Sequence, residues 1–152
     1  MDFMAETATT TKLKSEQIVT EVLATIDRER EREIVARRFG LFDRKETLEQ
    51  IGEMLGITRE RVRQLEKSVV TKLKASAEQG SVPHVKDFET KTLELLADNG
   101  DAARVSALTI MHDTDATREE QARIAFLSQL CPKLAVISED DNFYNSVSIK
   151  SV

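Results

Sequence analysis

Two short runs of apolar residues at helical spacing stand between residues 47 and 67. They are Leu48, Ile51 and Leu55 in the first run, and Val62 and Leu65 in the second. Gly56 separates the runs, and glycine ends a helix in the left-handed conformation without steric cost. The pattern therefore predicts two helices joined by a tight turn, a helix-turn-helix, with the second helix over residues 58–74.

Cap residues support both helix starts. Thr47 can cap the first helix, and Gln50 three residues later completes a capping box. Thr58 can cap the second helix. Gly52, inside the first helix, costs stability relative to alanine, so we expect it to mark a close helix–helix contact.

The outward face of the second helix carries side chains suited to base reading near its amino end. They are Arg59, Glu60, Arg63 and Gln64. Arginine can bind guanine O6 and N7, glutamine can read adenine, and glutamate can accept from cytosine N4. The alternative is an ordinary solvated helix, with Glu60 facing Gln64 and a like-charge Arg59–Arg63 pair.

Elsewhere the pattern predicts more helices and a terminal hairpin. Helices are expected over 15–26, 28–39, 85–97, 104–112 and 117–130, strands over 134–137 and 143–149, and a turn at 139–142. The predicted fold class is mainly α, a helix-turn-helix bundle followed by a small winged-helix-like unit of three helices and a β-hairpin. The predicted divisions are a disordered tail at 1–14, a helix-turn-helix domain at 15–76, a linker at 77–86 and a winged-helix-like domain at 87–152. The small and polar residues 75–86 are expected to be a linker or a frayed helix end.

Charge is distributed unevenly along this chain of net charge −5. Residues 28–74 carry 13 basic and 9 acidic side chains, a net charge of +4, and residues 75–152 carry 7 and 13, a net charge of −6. The positive charge therefore coincides with the helix-turn-helix, as DNA binding requires. The acidic remainder is expected to weaken non-specific DNA binding.

The stretch TLEQIGEMLGITRERVRQLEK (47–67) resembles region 4.2 of the sigma-70-type RNA polymerase sigma factors, and REREREIVARRFGL (28–41) resembles the preceding helix. The resemblance covers residues 16–74. It implies a reader of the −35 promoter element, with Arg59, Glu60, Arg63 and Gln64 facing the bases. Positions facing the DNA backbone would be Arg37, Arg38, Thr47, Leu48, Thr58, Arg61, Lys67 and Lys72. Ser68 and Thr71 stand where the family has a more basic run.

The resemblance also implies docking on RNA polymerase core through the flap of its β subunit. Leu41 and Phe42 are either core residues or an exposed protein contact. No stretch resembles sigma region 2, so we do not expect a complete sigma factor, but a regulator or one piece of a longer protein. The expected partner is promoter-like double-stranded DNA. The alternative function is a polymerase- or sigma-docking module without sequence reading.

The order of elements after residue 84 loosely resembles the HARE-type winged domain found in the RNA polymerase delta subunit. Its third helix offers only Arg118 and Arg123 against Glu119 and Glu120. Phosphate contacts would be few, so a structural or protein-facing role is expected for this part of the chain.

Other candidate chemistry is sparse. The single cysteine, Cys131, excludes an internal disulfide framework, and a buried small hydrophobe is its expected role. His84 is expected to be a solvated loop histidine, and His112, Asp113 and Asp115 a solvated loop and not a metal site. No catalytic motif is present, so no enzyme activity, cofactor or metal is expected. No membrane-length apolar run or signal pattern occurs, and a cytoplasmic location is expected.

Overall fold

The computed structural model describes residues 15–140 and 143–150, in which seven helices and three strands follow one another. They are α1 (Ser15–Leu23), α2 (Glu29–Phe39), α3 (Leu48–Leu55), α4 (Arg59–Glu78), α5 (Val85–Ala97), β1 (Ala102–Arg104), α6 (Val105–Met111), α7 (Arg118–Leu130), β2 (Leu134–Asp140) and β3 (Phe143–Ile149). The predicted fold class, mainly α with a helix-turn-helix, is confirmed. The predicted tail at 1–14 and positions 141–142 of the predicted turn lie outside the described residues.

Local sequence signals set the bounds of the helix-turn-helix. The Thr47 hydroxyl accepts from the Gln50 amide at 3.1 Å, and the Gln50 side chain accepts from the Thr47 amide at 2.8 Å, so the capping box is present. Gly56 ends α3 in the left-handed conformation at φ 73°. The Thr58 hydroxyl caps α4 by accepting from the Arg61 amide at 3.1 Å.

Helix α4 is longer than the sequence pattern predicts. The expected end at residue 74 is wrong, because the helix continues to Glu78 and takes in the first two residues of the expected linker. Residues 74–78 read Lys-Ala-Ser-Ala-Glu, mostly good helix formers, and the breaker Gly80 comes only afterwards. We call residues 15–78 the HTH unit and residues 85–150 the C-terminal unit.

The C-terminal unit contains a three-stranded antiparallel sheet in the order β1-β3-β2. The predicted hairpin is present as β2 and β3, but β2 continues to Asp140, so the predicted turn at 139–142 is wrong at its first two positions. The short strand β1 was not predicted. Val147 of β3 pairs with Ala103 on one side and with Val136 on the other, so all three lie on the inner face of the sheet. The three predicted helices and the hairpin of this unit are present, and its resemblance to a HARE-type winged domain stays a prediction.

One continuous apolar core joins the two units. Its buried members include Val19, Val22, Phe39 and Leu73 from the HTH unit and Phe126, Leu127, Leu130 and Val147 from the C-terminal unit. The rings of Phe39 and Phe126 lie 5.1 Å apart. The predicted division at 77–86 into separate domains stays a prediction, but the two units bury their apolar faces against each other.

A second, smaller cluster holds the helix-turn-helix together internally. Ile34 of α2, Ile51 of α3 and Val62 of α4 are fully buried against one another, with Leu48 and Leu65 packed around them. This cluster packs α2, α3 and α4 against one another. No helix in the described residues is long and apolar enough to span a membrane.

Candidate nucleic-acid interface

The exposed face at the amino end of α4 carries the four side chains that the sequence predicted as base readers. Arg59, Glu60, Arg63 and Gln64 are all exposed. Val62 lies on the opposite side of the helix and is fully buried. The helix is thus held by its apolar face, and its polar face is left open to solvent at the end nearest the turn.

Glu60 and Arg63 form a two-pronged ion pair one turn apart on this face. The Arg63 Nε lies 3.1 Å and 3.0 Å from the two Glu60 carboxylate oxygens, and its Nη2 donates to Oε1 at 2.6 Å. These hydrogen bonds lower the pKa of the Glu60 carboxyl and raise the pKa of the Arg63 guanidinium. Both side chains are about half exposed, so a competing charged ligand can reach them.

Arg59 is paired across the two helices of the motif. Its Nη1 lies 3.3 Å from the Glu49 carboxylate on α3, and both side chains are largely exposed. Each arginine thus has a glutamate partner. These pairs differ from those named for an ordinary solvated helix, Glu60 with Gln64 and Arg59 with Arg63, but an exposed face with weak ion pairs is also what that alternative predicts. Glu49 was not predicted as part of this surface, because its pairing with Arg59 depends on how α3 crosses α4.

The turn between α3 and α4 is closed by a backbone contact at Gly52. A Cβ atom built on Gly52 would lie 2.7 Å from the carbonyl oxygen of Ile57 and 3.5 Å from the Arg59 amide nitrogen. Only a residue without a side chain allows α3 to approach the turn so closely. This confirms that Gly52 marks a close approach, and it places the first turn of α4 against the middle of α3.

Two of the predicted backbone-contact residues lie in ion pairs on α2. Arg37 pairs with Glu33 at 2.6 Å and with Glu46 at 2.8 Å, and these hydrogen bonds raise the pKa of Arg37. Arg38 lies 3.5 Å from the carboxylate of Glu66, and only 15% of its side chain is exposed. Arg38 is therefore held mainly within the protein, whereas Arg37 is partly open to solvent.

The remaining predicted backbone-contact residues fall into two groups. Thr47 and Thr58 are exposed caps at the helix starts, and Leu48 is half-buried against the small apolar cluster. The cations Arg61, Lys67 and Lys72 are exposed. Lys72 lies three residues after the deeply buried Val69, beside a groove of about 570 Å³ between α4 and the α1–α2 corner. It is thus well separated along α4 from the base-facing set.

Outside α4, the structure changes two predictions and confirms a third. His84 is not simply solvated, since its Nε2 lies 3.2 Å from the Glu21 carboxylate. His112 is also not a solvated loop residue, because its ring stacks on Phe88 at 5.0 Å and burial lowers its pKa to about 4. Cys131 is buried, as predicted, and burial raises the pKa of its thiol. Within the described residues, no His, Cys, Asp and Glu side chains are grouped as metal ligands.

Comparison with known proteins gives matches to the HTH unit. Residues 28–75 match the family model described as Sigma-70, region 4. The RNA polymerase sigma factor sigB of Arabidopsis thaliana is 54% identical over 46 residues, which are 30% of this chain and 8% of that protein. RpoD of Helicobacter pylori (strain ATCC 700392 / 26695) is 51% identical over 49 residues, 31% of this chain and 7% of that sigma factor. SigA of a Bacillus species is 47% identical over 55 residues, 36% of this chain and 14% of that sigma factor. The chain thus spans only a small fraction of the length of these curated relatives.

Proposed function

Because residues 28–75 form a sigma-70 region 4 helix-turn-helix, we propose that the chain is a sequence-specific DNA-binding regulator of transcription initiation. In this proposal α4 lies in the major groove of a −35-like element. The observation that carries it is the exposed Arg59, Glu60, Arg63 and Gln64 set at the amino end of a helix whose other face is buried. That arrangement is the one through which helix-turn-helix proteins read base edges.

Each of the four side chains has a proposed role. Arg59 and Arg63 face guanines or flanking phosphates, and Glu60 and Gln64 set the base preference. The Glu60–Arg63 pair is exposed, so a cytosine amino group and a guanine edge can replace the contacts that the two side chains make with each other. Ion pairs between exposed side chains of one protein are weak, so breaking the Glu60–Arg63 pair costs little free energy.

Backbone contacts in this proposal come from both helices of the motif and from α2. Thr47, Leu48 and Thr58 approach phosphates from the two helix starts, where free amides and the helix dipole favour anions. The cations Arg37, Arg38, Arg61, Lys67 and Lys72 supply the charge. Arg38 has a competing internal partner in Glu66, so we expect it to contribute less than the exposed Lys67.

Fluorescence anisotropy of the whole chain tests this proposal. A duplex carrying TTGACA is compared with a scrambled duplex at two salt concentrations. A sequence reader keeps its preference as salt rises, whereas a purely electrostatic binder loses both complexes together. We expect the preference to disappear in Glu60→Ala and Arg63→Ala and to persist in Arg118→Ala, which removes an exposed arginine from α7. Equal binding of the two duplexes by the wild type would overturn the proposal.

A second candidate is a docking module for RNA polymerase that does not read sequence. Two observations favour it, namely the net charge of −6 after residue 74 and the matches to proteins named as RNA polymerase sigma factors. The exposed large apolar side chains of the HTH unit, Phe42 and Met54, are each 44% accessible and could contact a partner such as the β flap. Binding of core RNA polymerase to the whole chain, retained in Arg63→Ala, is the result expected of this candidate.

A further inference from the structure

A buried arginine of the C-terminal unit reaches into the HTH unit. Arg123 of α7 is only 8% exposed. Its Nε donates to the main-chain carbonyl of Leu41 at 2.7 Å, and its guanidinium carbon lies 5.7 Å from the centre of the Phe42 ring. Arg123 therefore holds both the backbone and a side chain at the start of the loop that links α2 to α3.

The guanidinium is itself fixed by carboxylates. Its Nη1 donates to Glu120 at 2.8 Å, and its Nη2 lies 3.8 Å from Glu16 of α1. The other oxygen of Glu120 accepts from the Ser15 hydroxyl at 2.5 Å. A planar guanidinium with several donors in a fixed fork suits such a site, because each donor meets a different acceptor. The position of Arg123 is thus determined on three sides.

The loop held by Arg123 runs directly into the helix-turn-helix. Its first residue, Leu41, is fully buried, and its last, Glu46, is tied back to α2 by an amide donating to the Arg37 carbonyl at 3.0 Å. Thr47, the next residue, opens α3 with its capping box. The course of residues 41–46 therefore sets where the amino end of α3 lies relative to α4.

Helix α7 is too deeply buried to lie in a DNA groove itself. It is the second helix of the α6–α7 pair, the position that a helix-turn-helix presents to the major groove. Eight of its 13 residues are buried, from Ala122 through Ser128 together with Leu130. Its Phe126 packs against Phe39 of α2. The helix is a core element shared by both units, so its contribution to DNA binding would have to be indirect.

We propose that Arg123 is a positioning residue for DNA binding, through which the C-terminal unit sets the loop 41–46 and the amino end of α3 against the DNA backbone. This role rests on the proposed function of α4 as a reader. The C-terminal unit then stabilises the position of the helix-turn-helix residues that face DNA. Arg123 touches no DNA in this arrangement and acts through Leu41, Phe42 and the residues that follow.

The test replaces Arg123 by lysine in the whole chain. Lysine keeps the positive charge for Glu120, but a single ammonium cannot also hold the Leu41 carbonyl and cover the Phe42 ring. Arg118→Lys is the matched control, because Arg118 lies on the same helix and is exposed. Phe42→Ala is a second variant that removes one side of the contact without disturbing the buried charges. All are compared at a temperature at which circular dichroism shows each variant to be folded.

Three readouts separate positioning from simple stabilisation. In Arg123→Lys, we expect amide hydrogen exchange to accelerate at residues 41–47 and to stay unchanged in α4. Affinity for the TTGACA duplex should fall by up to about tenfold, because binding must then order a loop that the lost hydrogen bond to a charged group no longer holds. In the third readout, single phosphates of the duplex are replaced in turn by uncharged methylphosphonates. At one or more positions where this replacement weakens binding of the wild type, it should leave the affinity of Arg123→Lys unchanged. The preference of Arg123→Lys for TTGACA over scrambled DNA should remain.

The outcomes distinguish this inference from the proposal on which it rests. A folded Arg123→Lys protein with wild-type affinity and the wild-type pattern of sensitive phosphates would overturn the positioning role, and Arg123 would then only stabilise the fold. A wild-type chain that does not prefer the TTGACA duplex would instead overturn the proposed function, and the positioning role with it. Loss of affinity in Arg118→Lys as well would show that exchanging an exposed arginine of α7 for lysine weakens binding without any contact to Leu41, and would also contradict the inference.

Discussion

The α-carbon of Gly52 faces the carbonyl oxygen of Ile57 so closely that a Cβ atom there would lie 2.7 Å from that oxygen. This oxygen belongs to the backbone, so no side-chain rotation can move it out of the way. We expect Gly52→Ala to destabilise the protein by about 1–3 kcal/mol, the range for overpacking, even though alanine gains about 1 kcal/mol in helix propensity. Urea denaturation followed by circular dichroism measures the change.

The control for Gly52→Ala is Glu53→Ala, at an exposed position of the same helix. That variant should lie within about 0.5 kcal/mol of the wild type, as is usual for surface substitutions. If Gly52→Ala were as stable as the wild type, the turn at Ile57 would have to move away from α3. In that case DNA binding should be lost without loss of stability.

The pairing of Glu60 with Arg63 predicts that their effects on DNA binding are not additive. Each single substitution to alanine removes one proposed base contact and also frees the partner side chain from its 2.6 Å hydrogen bond. We expect Arg63→Ala to weaken specific binding by about 1–3 kcal/mol. In a double-mutant cycle with Glu60→Ala, the coupling energy should be about 0.5–3 kcal/mol, measured by anisotropy on the TTGACA duplex. A coupling energy of zero would mean that the two side chains act separately on DNA.

Features encoded within a few residues of one another could be predicted from the sequence. The capping box of Thr47 with Gln50 and the left-handed Gly56 each depend on neighbours along the chain, and both are present. The exposed base-facing face of α4 followed from the spacing of Val62 and Leu65. The resemblance to sigma region 4 was predicted over residues 16–74, and the family match confirms it over 28–75. The roles of individual residues on DNA stay predictions.

Contacts between distant parts of the chain could not be predicted in this way. Arg123 meets the Leu41 carbonyl across 82 positions, and no periodicity records such a pairing. His112 stacks on Phe88 because α5 and the end of α6 lie side by side, so its loop-like sequence context was misleading. Strand β1 has only three residues and contains no β-branched side chain, and it depends on pairing with β3.

Burial of Cys131 predicts an unreactive thiol in the folded protein. The residue is 2% exposed, its Sγ lies 3.2 Å from the Leu127 carbonyl, and burial raises the pKa of the thiol. The thiolate is the reactive form, so we expect negligible modification by a disulfide reagent at pH 8 and complete modification in urea. Because Cys131 is the single cysteine, the absorbance of the group that the reagent releases measures modification of this site alone. Fast labelling of the native protein would show that α7 opens from the core.

The environment of His112 predicts that the protein loses stability as the pH falls below about 6.5. The ring stacks on Phe88 and forms a hydrogen bond with the Thr92 hydroxyl at 2.9 Å. Burial, and to a lesser extent the charge of Lys91, lower its pKa from 6.5 to about 4, and the charge of Asp113 opposes this. Between these values the unfolded chain binds a proton that the folded chain does not, so the free energy of unfolding should fall by up to about 1.4 kcal/mol per pH unit. Urea titrations from pH 7 to pH 5 measure this slope, which should flatten in His112→Gln. It should persist in His84→Gln, where His112 is the remaining histidine. An unchanged slope in His112→Gln would assign the pH dependence to other groups.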